Sequence, residues 1–313
     1  MIAAIQELLP PDRGPLLGVG DDAAVVSAPD RRVVATTDLL VEGRHFRRDW
    51  SGPRDVGVKA AAQNLADIAA MGAVPTALLV GLATPGELPV AWALDLVRGL
   101  LDECQRAGAS IAGGDVTSAD TLVLAITALG DLAGRPPVTR AGARPGDQLA
   151  VAGPLGWSAA GLALLSAGYG DQAGRDDRIG SLVAAHRRPQ PPYQAGPQAA
   201  RLGATSMIDV SDGLVQDLGH VAAASGVCVD IQTAGLPASG PLRAAARMLD
   251  ADWLDWALAG GEDHALVATF PAGLVLPEEW TVIGTVLGAL RSGSGVLVNS
   301  RPRPGPGGWN HFR

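Results

Sequence analysis

The stretch VGVKAAAQNLADIAAMGAVPTALLV, residues 56–80, places a helix directly before a strand. Residues 56–71 read as a helix that Gly72 stops and Pro75 keeps from resuming. The apolar run 77–80 then reads as a strand. Working outward, residues 33–36, 122–126 and 149–151 are short apolar or β-branched runs of strand type, and 89–107 is a second helix. This succession predicts an α/β or α+β fold. The expected domain boundary is GRPPVTRAGARPGD, residues 134–147, where Pro, Gly and Arg crowd without apolar periodicity. It divides the chain into 1–137 and 138–313. Loop-like zones are expected at 168–180 and 186–196, and the tail SRPRPGPGGWNHFR is expected to be frayed or laid extended over the protein.

Composition narrows the partners. With 313 residues, 47% of them hydrophobic, the chain can bury a sizeable core. A formal charge of −8 argues against nucleic acid, whose backbone calls for a basic patch. Lys59 is the single lysine, so any other basic contact to phosphate must come from arginine. Cys104 and Cys228 stand in no metal-ligand spacing and read as buried reduced thiols. No apolar run approaches the ~18 residues of a membrane span, and the N-terminal segment lacks the basic start of a signal peptide. A cytoplasmic protein is expected.

Acids recur beside Gly, Ser or Thr at the ends of apolar runs: Gly20-Asp21-Asp22, Thr36-Thr37-Asp38, Asp67, Gly113-Gly114-Asp115, Asp209-Val210-Ser211-Asp212-Gly213 and Gly260-Gly261-Glu262-Asp263. Singly, each is an ordinary turn. Together they raise a question of charge, because two carboxylates at ~4 Å repel by ~4 kcal/mol at an effective dielectric of 20. Protons or cations must neutralise any such cluster, and hard oxygen donors with little His suit Mg²⁺ and, through it, a nucleotide. Lys59, Gln63 and Asp67 fall at i, i+4 and i+8 of the 56–71 helix, with Asn64 nearby; they form either a solvated face or, for Asn64 and Asp67, the side of a metal site. In the Asp209–Gly213 segment, alternation puts Asp209 and Ser211 on one face, and Ser211 or Asp212 is expected to cap a helix starting near Leu214. Familiar nucleotide loops are missing. Gly18-Val19-Gly20-Asp21-Asp22-Ala23 matches a loose dinucleotide fingerprint, but two aspartates would oppose a pyrophosphate there. Lys59 lies in no P-loop.

The blocks GVGDDAAV, TTDLLVEGRHF, KAAAQNLADIAAMGA, GGDVTSAD, TRAGARPGDQL, GWSAAGLALL, IDVSDGLVQDLGH, LAGGEDHAL and WNHF, in this order, resemble the thiamine-monophosphate kinase family of the aminoimidazole ribonucleotide synthetase-like superfamily. The resemblance spans nearly the whole chain. It implies a two-domain architecture, with an N-terminal sheet-and-helix domain used for metal and ATP binding and for dimerisation, and a C-terminal α/β domain. It implies Asp22, Thr36, Thr37, Asp38, Asp67, Asp115, Asp209 and Asp212 as ligands of several Mg²⁺ ions. Gly114, Asp115, Arg140 and Ser211 would contact ATP, and His45, Glu262 and Trp309 would contact thiamine monophosphate. The implied reaction yields thiamine diphosphate and ADP with no covalent nucleophile on the protein. Trp157 and His264 depart from the family pattern, where Asp and Tyr are common. The runner-up readings are another ATP-using member of the superfamily and a nonenzymatic sensor of Mg-nucleotide.

Overall fold

The computed structural model describes residues 1–9, 23–24, 26–237, 239–289, 293–305 and 307–309. The chain forms two compact units, one of residues 1–69 and 73–136, the other of residues 70–72 and 137–313. Both mix helices and sheet, as the sequence predicts.

The first unit contains α1 (Ile2–Gln6), β1 (Val34–Val41), α2 (Pro53–Ala70), β2 (Val74–Thr84), α3 (Val90–Ala107), β3 (Ser110–Ser118) and β4 (Val123–Asp131). Its sheet has the order β1-β4-β2-β3, antiparallel except for the β2–β3 pair. Along β1 the side chains alternate, with Thr36, Asp38 and Leu40 turned inward and Ala35, Thr37 and Leu39 outward. The predicted helices and the strands at 33–36, 77–80 and 122–126 all fall on observed elements, overrunning them by one residue at most. β3 is not among the strands read from the sequence. Its Gly-Gly-Asp-Val-Thr-Ser end reads as a turn, yet pairing with β2 holds it extended.

α2 corrects one of the two readings of its polar residues. Lys59 is only 2% exposed, Asn64 is fully buried, and Gln63 and Asp67 are half-buried, so the row is not an open solvated face. A helix apolar on nearly every side must be covered all round. The covering depends on glycine. A Cβ on Gly57 would lie 2.0 Å from the carbonyl oxygen of Leu96, and one on Gly99 would lie 2.2 Å from that of Arg54. α2 and α3 thus cross with backbone against backbone.

The second unit contains β5 (Gln148–Ala152), α4 (Trp157–Ser166), α5 (Asp177–Arg187), α6 (Ala195–Leu202), β6 (Ser206–Asp209), α7 (Leu214–Ser225), β7 (Cys228–Ile231), α8 (Gly240–Met248), α9 (Trp253–Ala259), β8 (Leu266–Phe270), β9 (Trp280–Leu287), β10 (Gly295–Val298) and β11 (Arg301–Pro302). The sheet order is β11-β10-β7-β9-β5-β8-β6, with β7–β10 its parallel pair. Val151, Ile208, Val229, Val267 and Ile283 from five strands join Leu218 and Val221 of α7 in one core. β5, β6, β7 and β8 are almost wholly buried, so their sequences lack the polar–apolar alternation of a half-exposed strand.

Gly57→Ala should lower stability by about 1–3 kcal/mol, because the added methyl must push two helix backbones apart. Chemical denaturation of the purified variant, with the midpoint compared to wild type, checks this.

Candidate active site

In the first unit, the inward residues of β1 meet the polar residues of α2. Thr36 Oγ1 donates to Asp67 Oδ2 at 2.7 Å. The Asp38 backbone N–H donates to Asn64 Oδ1 at 2.9 Å, and Asn64 Nδ2 in turn donates to the Ala60 carbonyl at 2.9 Å. Strand period two and helix spacing i, i+3 therefore bring two carboxylates, a hydroxyl and an amide to one place. Thr37 is not brought there by its side chain. It lies on the outer face, where its hydroxyl donates to the Ile126 carbonyl and accepts from Thr127. Gly114 shares a cross-sheet row with Asp38 through Ile126 and Val80, three strand spacings or roughly 14 Å away. A Cβ at Gly114 would come within 2.2 Å of the Val80 carbonyl, so the residue must be glycine. Beside Gly114 and Asp115 opens an apolar recess walled by Val80, Leu82, Leu96, Leu100 and Ile111. His45 Nδ1 accepts from the Val41 N–H at 2.9 Å, which puts the proton of the neutral ring on Nε2. Asp22 lies outside the described residues.

In the second unit, the chain leaves β6 at Asp209 and turns into α7. The expected cap is corrected here: Gly213 is the N-cap residue and makes no side-chain bond. Asp217, one turn inside the helix, reaches back instead. Its Oδ2 accepts the backbone N–H groups of Ser211, Asp212 and Gly213 at 3.1, 3.1 and 3.0 Å. Because β6 ends at Asp209, strand alternation does not extend to Ser211. The Gly260–His264 segment lies against this loop. Glu262 N–H donates to the Ser211 carbonyl at 2.8 Å, and His264 N–H donates to the Val210 carbonyl at 2.9 Å. Gly261 could carry no Cβ, which would sit 2.4 Å from the Ser211 carbonyl oxygen. Glu262 and His264 both have positive φ, 63° and 52°, a conformation that side chains other than glycine adopt at a cost of about 1–3 kcal/mol each. Asp263 between them anchors the strain: its carboxylate accepts the N–H of Gly156 at 2.6 Å and that of Ser158 at 2.8 Å.

Burial pushes the Asp263 carboxyl up to about 7 against the pull of those N–H donors. Burial also raises Asp217 to about 7, with the charge of Asp209 adding to it. His264 is buried, with Nδ1 3.1 Å from Asp209 Oδ2, so its ring touches an expected metal ligand directly. Ser158, His186 and Glu262 are the makings of a nucleophilic triad, but His186 Nδ1 makes both contacts, 3.2 Å to Ser158 Oγ and 3.5 Å to Glu262 Oε2. A relay needs both ring nitrogens, and Ser158 is 1% exposed. The cluster positions Glu262 rather than attacking a substrate.

Arg140 is exposed on a loop pinned by Ser225, whose Oγ donates to the Arg140 carbonyl and accepts the N–H groups of Gly142 and Ala143. The tail is neither frayed nor loose at its described end, because the Trp309 N–H donates to the Asp212 carbonyl at 2.9 Å. The Trp309 side chain is largely exposed there. The structure thus brings Ser211, Asp212, Glu262 and Trp309 together in one unit, and Thr36, Asp38 and Asp67 in the other. Asn64 stands beside Asp67 on α2, as the functional reading of that helix expects. Asp217, Asp263 and His186 were not among the expected site residues; they bind backbone or buried partners that no spacing reveals.

The donors fit Mg²⁺. Among the described residues no three His, Cys, Asp or Glu side chains gather into a metal cage. Pairs of carboxylates with a hydroxyl are instead what an ion needs when water and substrate phosphate complete its shell.

Asp263→Asn should destabilise the protein by about 1–3 kcal/mol, since an amide can satisfy only one of the two buried N–H donors. The folded carboxyl titrates near 7 and the unfolded one near 3.8. The stability due to the held proton is therefore complete below the unfolded value and lost as pH rises through about 7. Denaturation midpoints of both proteins across this range should show a shallower decline in the variant.

Comparison with known proteins places these features in a family. The family model for AIR synthase related protein, N-terminal domain, matches residues 20–132. Thiamine-monophosphate kinase of Mycobacterium tuberculosis is 52% identical over 299 residues, covering 95% of this chain and 86% of the relative. That of Corynebacterium glutamicum is 42% identical over 296 residues, covering 94% and 88%. The solved structure of AaThiL complexed with AMPPCP and TMP superposes with a TM-score of 0.83 at 32% identity, covering 94% of this chain and 92% of that one. The order of blocks, both folds and these likenesses agree: the chain belongs to the thiamine-monophosphate kinase family.

Proposed function

We propose that the protein transfers the γ-phosphoryl group of ATP to the phosphate of thiamine monophosphate, giving thiamine diphosphate and ADP. The observation that carries this reading is the meeting of Thr36, Asp38, Asn64 and Asp67 between β1 and α2, in a chain of this family. The relative complexed with AMPPCP, an ATP analogue, and TMP supports the choice of substrates.

Thr36, Asp38 and Asp67, with Asp22 and Asp115, and Asp209 and Asp212 of the second unit, are the residues assigned to hold several Mg²⁺ ions; Thr37, whose hydroxyl lies on the outer face, is left out of this set. When bound, such ions screen phosphate charge and align the in-line transfer. The protein's own part is positional. Asn64 fixes the backbone at Asp38, and Thr36 holds Asp67 by its carboxylate. Gly114 lets the chain pass close beside the apolar recess, whose walls suit a purine base, with Asp115 at its edge. Ser211 and Arg140 are assigned to ATP, the arginine as a planar charged fork for phosphate oxygens. His45, Glu262 and Trp309 are assigned to thiamine monophosphate, where an aromatic ring against a cationic heterocycle contributes ~0.5–2 kcal/mol. The acceptor phosphate is ionised near neutral pH, so no strong base and no covalent nucleophile is required.

The domains at 1–137 and 138–313 share this work, and the first also mediates a homodimer. Its support is the outer sheet face, where Leu39 is 57% and Leu79 38% exposed around Thr37 and Thr127. Among the described residues no helix is long and apolar enough to cross a membrane, and the reaction is assigned to the cytoplasm.

Purified protein with MgATP should form thiamine diphosphate from thiamine monophosphate, and none from free thiamine or without Mg²⁺. Asp38→Asn should lower kcat by about 10²-fold or more with an unchanged unfolding midpoint. Activity equal to wild type in that variant would remove the metal assignment. Leu39→Glu should convert a dimer to monomers in sedimentation equilibrium, by placing charge on the outer face.

A further inference from the structure

We propose that Gln216 is a positioning residue that clamps the C-terminal segment and so sets the place of the Trp309 ring; this rests on the assignment of Trp309 to thiamine monophosphate. Gln216 meets the segment at two points. Its backbone N–H donates to the Gly307 carbonyl at 3.1 Å, and its side-chain Nε2 donates to the Trp309 carbonyl at 2.7 Å. Between these contacts Gly308 has no room for a side chain: a Cβ there would lie 2.4 Å from the Asp212 carbonyl oxygen and 2.8 Å from the Gln216 Cβ. The Trp309 N–H, on the other side, donates to that same Asp212 carbonyl at 2.9 Å. Beyond β11 the described tail residues belong to no helix or strand, yet the backbone at 307–309 is fastened at three points to the first turn of α7 and the loop before it.

This geometry couples two parts of the site. The N–H groups of Ser211, Asp212 and Gly213 are held by Asp217, and the Asp212 carbonyl is held by Trp309. Gln216 is the neighbour of Asp217 on α7, so one turn of helix fixes the loop with one residue and the tail with the next. The loop can keep its shape without Gln216, because Asp217 needs nothing from the tail. The Trp309 ring is held less firmly without it, because the 2.7 Å bond is the Gln216 side-chain contact that fixes the Trp309 carbonyl beside the helix. Loss of Gln216 therefore bears on thiamine monophosphate and leaves ATP recognition alone.

Three variants test this. Gln216→Ala removes the donor, Gln216→Glu keeps the size but sets a carboxylate against the Trp309 carbonyl, and Trp309→Ala removes the ring. Gln216→Ala and Gln216→Glu should each raise KM for thiamine monophosphate about fivefold, the equivalent of one hydrogen bond, while KM for MgATP moves less than about twofold. The Gln216→Ala/Trp309→Ala double variant should be no worse than Trp309→Ala alone. Amide hydrogen exchange at the C-terminal peptide should quicken in both Gln216 variants without substrate present. Unchanged exchange would overturn the clamp. Faster exchange with unchanged KM would overturn its positioning role, as would wild-type behaviour in Gln216→Glu. If Trp309→Ala leaves KM for thiamine monophosphate untouched, the assignment of Trp309 fails instead, and the exchange result still decides the clamp.

Discussion

Buried backbone must have its hydrogen bonds met, and in this protein two carboxylates meet that demand where the strands end. Asp217 accepts three consecutive N–H groups from the loop after β6, and Asp263 accepts two at the start of α4. Without these acceptors the loops would have to open to water or take up helix or strand. The cost is visible in their chemistry: burial lifts both carboxyls to about 7 although every bond they make favours the ionised form. The glycines follow from the same demand. Where a loop is held by its backbone, its neighbour must approach by backbone too, and Gly156, Gly213, Gly261 and Gly308 are the points of approach. A Cβ on Gly156 would lie 2.7 Å from the Ala257 nitrogen, and one on Gly213 would lie 2.8 Å from the Ala259 carbonyl oxygen.

This explains what was legible in the sequence. Helices α2 and α3 and the central strands declare themselves by apolar runs and by breakers such as Gly72 and Pro75, since their signals are local. The joining of Thr36 and Asp38 to Asp67 was half-readable: strand and helix periods define the faces, but only the packed fold turns them toward each other. β3 was not readable, because its glycines and hydroxyls carry turn signals that pairing with β2 overrides. Asp217 and Asp263 were hidden for a different reason. Nothing local distinguishes an aspartate that binds distant backbone N–H groups from one that caps or turns, and the partners of Asp263 lie more than a hundred residues away. The same holds for Lys59, whose spacing to Gln63 and Asp67 fits a wet face that the close crossing of α2 and α3 removes.

Phosphoryl transfer between two anions sets a demand that such a scaffold answers well. The oxygens that face a phosphate or its counter-ion must not be drawn into neutralising each other, and must not drift. Thr36 and Asn64 hold Asp67 and the Asp38 backbone with neutral groups. Arginines are spent elsewhere, on exposed pairs such as Arg54 with Asp102 and Arg178 with Asp176, which contribute little to stability. A formal charge of −8 and a substrate pair that is itself anionic are then compatible, provided the inner acids keep their charge for bound cations.

Trp157 and His264, where the sequence resemblance leads to the expectation of Asp and Tyr, fall on opposite sides of this logic. Trp157 stands between Gly156 and Ser158, the residues whose N–H groups Asp263 accepts. Because that grip is on backbone, it does not depend on which side chain stands at 157. His264 is the other case. Its backbone N–H bonds the Val210 carbonyl as any residue's could, but its ring lies against Asp209, where it can donate to or share charge with an acid that a tyrosine would meet only through a hydroxyl. A phenol at that position donates one fixed hydrogen bond, whereas an imidazole can donate and can also become a cation. Of the two changes, only the histidine alters what an inner acid senses, and it does so in a residue held at positive φ by the loop around it.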